Sequence, residues 1–80
     1  MPPLNKFKRF DVRGLLRQGI EPFPEIFSKV QALAADEGLI VVAPFLPSPL
    51  VERLAGEGFA SKVERGLGTD WMVFFWRESV

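Results

Sequence analysis

The chain contains no cysteine and no histidine. The first absence excludes disulfide staples, thiol nucleophiles and thiolate metal sites. The second removes the commonest general base and the commonest metal ligand. Only carboxylates remain to hold a metal, and they suit hard cations. There is no run of about 18 apolar residues, so a membrane span is not expected. The start, Met1-Pro2-Pro3-Leu4-Asn5-Lys6, lacks the apolar core of a signal peptide, and a cytoplasmic location is the expectation. A charge excess is missing too: ten basic residues balance ten acidic ones. That argues against general nucleic-acid binding, which normally comes with a basic surplus. No repeat, linker or low-complexity run divides the chain, so residues 1–80 read as one domain with an ordered core over about 6–77.

What is present is a core. Hydrophobic residues make up 48% of the chain, including eight Phe and two Trp, enough for a domain near the lower end of self-sufficient size. Residues 7–12 alternate, with Phe10 and Val12 on one side and Arg9 and Asp11 on the other, which predicts a first strand. Residues 14–21 read as a loop, with Gly14 and Gly19 as turn formers. Pro22 and Pro24 suit the first turn of a helix, where N–H groups are not needed. Glu21 and Glu25 suit its positive end. Phe23, Ile26, Phe27, Val30, Leu33 and Ala34 then recur at helical spacing, and Asp36-Glu37-Gly38 is the expected stop, Gly38 in a left-handed conformation.

Residues 39–43 form a short apolar run of the kind buried on both faces of a sheet. After the stiff loop 44–47, Ser48 is the expected N-cap and Pro49 the first residue of a short amphipathic helix ending near Gly56 and Gly58. Residues 59–65, with Phe59 and Val63 inward, and 71–76 are expected to form an antiparallel hairpin across the turn 66–70. The second and fourth strands are apolar on both sides and belong in the middle. The expectation is an α+β fold, a two-layer sandwich of order β-α-β-α-β-β, with a four-stranded mixed sheet ordered 1-2-4-3 and two helices on one face.

Asp11-Val12-Arg13-Gly14-Leu15, followed by Glu21-Pro22 opening a helix, resembles the TusA/SirA-like sulfur-carrier superfamily, which has this element order. A closer resemblance is to a bacterial domain-of-unknown-function family allied to that fold. It is carried by Asp11-Val12-Arg13, Glu21-Pro22-Phe23-Pro24, Ala43-Pro44-Phe45-Leu46-Pro47-Ser48-Pro49-Leu50, Gly58-Phe59 and Trp71, across roughly residues 9–77. The sulfur carriers use a motif cysteine as persulfide acceptor. Alignment on Glu21-Pro22 puts Gly19 at that place, and glycine supplies no thiolate. The resemblance therefore implies the scaffold without the sulfur-transfer chemistry.

Four features are candidates for function. Arg13, leaving a strand end beside a helix N-terminus, could hold a small anion or carboxylate. Against this, Glu21 or Glu25 would occupy the same positive site and clasp Arg13. Phe45, in its proline-rich loop at the carboxyl ends of the strands, could line a ligand site, against the simpler expectation that a large aromatic caps the core. The sheet face away from the helices gathers aromatic side chains, and Trp71, Met72, Phe74 and Trp76 are the candidate interface for a protein partner or a second copy of the chain. The competing expectation is cover by the N-terminal arm or by Arg and Lys stems. The carboxylates Asp11, Glu21, Glu25, Asp36, Glu37 and Asp70 show no diagnostic spacing. Asp11 is expected to bond loop N–H groups, and Asp36-Glu37 to be a solvated helix end.

These features favour a non-catalytic binding or adaptor domain acting through protein–protein contacts. An accessory role in sulfur trafficking or redox metabolism stands beside it, as does a small cofactor-independent enzyme using Arg13 with Asp11 or Glu21. No catalytic residue, cofactor or metal is assigned.

Overall fold

Gly38–Ala43 (β2) and Trp71–Arg77 (β4) carry apolar side chains on both faces, and they form the middle of the sheet. Phe7–Asp11 (β1) pairs parallel to β2, with Phe10 opposite Val41. Phe59–Arg65 (β3) pairs antiparallel to β4, with Val63 opposite Val73. The order is β1-β2-β4-β3, as the two-sided strands require. These positions come from a computed structural model that describes residues 1–78.

Leu39, Val41 and Ala43 of β2 and Val73 and Phe75 of β4 point to one face. There they pack with Ile26 and Val30 of Phe23–Gln31 (α2) and Leu50 and Leu54 of Ser48–Ala55 (α3). Each such side chain is at most 1–2% exposed, and burying it is worth about 1.5–3 kcal/mol. Basic stems close the edges of this layer. Lys29 lies 4.7 Å from the Phe10 ring centroid, Arg53 5.1 Å from Phe27, and Arg65 4.5 Å from Trp71.

The structure corrects several expectations. Residues 14–21 are not all loop, because Arg13–Arg17 forms a short helix (α1), which makes three α-helices among the described residues. Leu16 N–H donates to the Val12 carbonyl at 3.0 Å, and Leu16 packs on the core. The glycine at 19 ends this helix: with φ +73 it lets Gly19 N–H reach the Leu16 carbonyl and Ile20 N–H the Leu15 carbonyl, the paired bonds of a Schellman stop.

The second helix ends at Gln31, well before Gly38. Its end is held from a distance, since Arg77 Nη2 donates to the carbonyls of Val30 and Gln31 and to that of Leu33 just beyond the helix, at 3.1–3.4 Å. Gly38 is a strand residue with no positive φ. It is needed for space, because a Cβ there would sit 2.3 Å from a Phe7 ring carbon. Ser48 makes no capping bond. Pro47 holds the cap position, and its carbonyl accepts the Val51 N–H at 3.1 Å, so the helix begins one residue early. Val63 points as expected but is 39% exposed on the edge strand. Among the described residues no helix is long and apolar enough to cross a membrane.

Candidate functional site

The parallel strands β1 and β2 end together, at Asp11 and Ala43. Beyond them the chain does three things. It coils into α1, re-enters as α2, and leaves β2 through the proline-rich loop to α3. Three apolar segments thus surround one gap over the core. The gap is a cleft of about 420 Å³, within the usual range for ligand sites. Its floor is core: Val12, Ile26, Val41 and Leu50. Its walls are Leu16 of α1, Phe23 of α2, and Phe45 with Pro47 and Pro49. Gly19, Ile20 and Glu21 form the remaining side.

Glu21 and Phe45 therefore meet in one place. Phe45 does not cap the core; it is 52% exposed at the cleft mouth, beside Ile20 at 43%. The loop sets this exposure. Pro47 and Leu50 turn inward and are buried, which leaves Phe45 and Leu46 facing out.

Arg13 is elsewhere. It does not meet Glu21 or Glu25 at the mouth of α2. Its Nε donates to Asp11 Oδ1 at 2.9 Å and its Nη2 to Asp11 Oδ2 at 2.6 Å, a bidentate pair. Its Nη1 donates to Asp70 in the turn before β4. Asp11 Oδ1 also accepts the Arg13 N–H at 3.0 Å, as expected of a carboxylate at a strand exit. These bonds hold the Asp11 carboxyl down to about 2 from an ordinary 3.8, and push the guanidinium pKa up. Two of the chain's own carboxylates thus neutralise this one guanidinium. Arg13 instead ties β1, α1 and the β3–β4 turn together, beside a separate depression that it lines with Arg17 and Pro44.

Glu21 closes the other anion site. Its Oε1 accepts the Phe23 N–H at 3.2 Å, and Pro22 and Pro24 have no N–H to offer. Asp36 and Glu37 act as local ties. Glu37 Oε1 accepts the Ala34 N–H at 2.8 Å, and Asp36 pairs with Lys6 at 3.3 Å. Among the described residues no three acidic side chains gather to hold a metal.

The four aromatic-face residues divide. Trp71 is on the helix side, half-buried under Arg65. Met72, Phe74 and Trp76 are on the other side, but not as an open patch. Phe74 is 4% and Val42 2% exposed within the single chain. The cover comes from the start of β1, where the Phe7 ring meets Phe74 edge-on at 5.4 Å and Trp76 at 6.4 Å. Met72 and Trp76 stay half-buried.

Sequence reasoning missed the cleft as a unit and missed α1, which forms its wall. One signal was legible: Gly19 followed by apolar Ile20 fits a helix stop with its usual hydrophobic contact.

The fold is thus a small α+β sandwich with an apolar cleft at its strand ends. By sequence the chain belongs to the family described as "Uncharacterized conserved protein (DUF2249)", whose model matches residues 9–77. No curated protein and no solved structure matches it.

Proposed function

We propose that this domain is a protein-binding module that does no chemistry itself and uses the strand-end cleft to seat an apolar segment of a partner. The observation that carries the reading is the combination of the 420 Å³ cleft with exposed apolar residues spreading past it. Ile20 and Phe45 stand at the mouth, and Leu46, 40% exposed, lies beside it outside the lining. Leu67, in the turn leading to β4, is 91% exposed at the same end of the sheet. A small molecule filling the cleft would leave Leu46 and Leu67 wet, whereas a polypeptide lying across this end would cover them. Exposed apolar groups gathered at one end of the sheet are what such a partner would cover. The resemblance to sulfur carriers supports the location, since Gly19, aligned with their reactive cysteine, lines the same cleft. The enzymatic alternative is weaker, because Arg13 is already committed to two carboxylates.

The test is to pan a random dodecapeptide library on the immobilised domain and measure the affinity of the recovered peptides for two variants. Phe45→Asp should abolish binding, and Val63→Asp, on the far edge strand, should leave it intact. Recovered peptides that bind Phe45→Asp as well as the parent would refute the reading.

A further inference from the structure

The cleft is apolar inside and carries one charged group. Glu21 is the only ionisable side chain among its lining residues. Its Oε1 is used on the Phe23 N–H; Oε2 has no hydrogen bond, and the carboxylate forms no ion pair with the described residues. Glu25, in the first turn of α2, adds a second exposed carboxylate nearby.

Covering the mouth of the cleft changes the position of Glu21. In the free domain, water solvates Oε2. A segment lying over Ile20 and Phe45 removes that water, and an ion that loses its solvation must be paired or its burial is costly. A neutral segment offers nothing in return, and an acidic one adds repulsion. A lysine or arginine beside the apolar anchor restores the lost solvation with a charge-assisted hydrogen bond.

We infer that the partner segment of this cleft is a large apolar side chain with a lysine or arginine within two residues of it, the apolar group seated over the core and the cation on Glu21 Oε2. This rests on the protein-binding reading of the cleft and specifies which proteins it takes.

The experiment uses the same dodecapeptide library, panned in parallel on the parent domain, Glu21→Gln and Glu21→Lys. Glu21 is exposed and Gln keeps an acceptor for the Phe23 N–H, so Glu21→Gln should melt with the parent, whereas Glu21→Lys loses that acceptor and should melt lower while staying folded; circular dichroism checks both. Peptides from the parent should carry Lys or Arg within two positions of Phe, Leu, Ile, Met or Trp. The best of them should bind Glu21→Gln roughly two- to fivefold more weakly, the effect of one rim ion pair. It should bind Glu21→Lys more weakly still, with binding restored when the basic residue of the peptide is changed to Glu. Peptides that are lost on Phe45→Asp yet show no basic preference, or no response to either Glu21 variant, would overturn the charge rule alone. Peptides indifferent to Phe45→Asp would overturn the cleft reading and this inference with it.

Discussion

Replacing Gly38 by alanine tests how the sheet face is covered. The new Cβ would stand 2.3, 2.5 and 2.8 Å from three carbons of the Phe7 ring. Backbone on both sides of Gly38 is fixed by pairing to Phe7 and Trp76, so the ring must move. It then loses its edge-on contacts with Phe74 and Trp76, each worth about 0.5–1.5 kcal/mol. Reduced freedom of the unfolded chain returns about 0.4–1 kcal/mol, since Gly38 needs no positive φ. The net expectation is a destabilisation of about 1–2 kcal/mol, read from urea unfolding with an unchanged slope. In a Phe7→Ala background the obstacle is gone, and the same substitution should be neutral or slightly stabilising. Peptide binding at the cleft should be unchanged. An equal cost in both backgrounds would show that the ring is not the obstacle, and no cost in the parent would refute the packing of Phe7 on Gly38.

Other outcomes follow from single contacts. Arg77→Met should cost about 1–2 kcal/mol, because the Gln31 and Leu33 carbonyls lose the guanidinium donor and the Val30 carbonyl keeps only the Leu33 N–H; hydrogen exchange should show faster opening of α2 than of the sheet. Gly19→Ala forces a side chain into φ +73 and should cost about 1–2 kcal/mol, with amide shifts confined to α1 and the cleft wall. Asp11→Asn should matter only where the native carboxylate is charged. The folded pKa lies near 2, below the ordinary 3.8, so the stabilisation is complete above about pH 4 and is lost as pH falls through 2. Because the pair is partly exposed, the gap between parent and variant should be at most about 1 kcal/mol at neutral pH. It should close towards pH 2 in acid titrations followed by circular dichroism.

Much of the fold is legible in the chain because two strands advertise their places. β2 and β4 are apolar on both sides, which puts them in the centre and fixes the order. What escapes is long-range or depends on exact fit. Leu33 continues the apolar stripe of α2 and is buried, but it lies past the helix end, because burial alone does not separate a helix from the turn that follows it. The guanidinium that caps those carbonyls comes from residue 77, out of reach of any local pattern. The sequence offers Glu21 or Glu25 as the clasp on Arg13; Asp11, two residues away, and Asp70, 57 residues away, take it instead. Phe7 carries no sequence signal beyond the start of a strand, and the glycine that receives its ring follows an acidic pair in the pattern of a helix stop. The cleft was visible in parts, through Glu21 and Phe45, but the short helix that walls it was hidden by Gly14 and Gly19.

The claim that this domain works through its strand-end cleft is tested most directly by amide shift mapping. A uniformly ¹⁵N-labelled sample would be titrated with the tightest peptide from the library selection. The account predicts shifts centred on Leu16, Ile20, Phe23, Ile26 and Phe45, with Arg9, Ile40 and Trp76 on the other face unmoved. Shifts centred instead on Ile40, Met72 and Trp76 would contradict it and return the function to the sheet face.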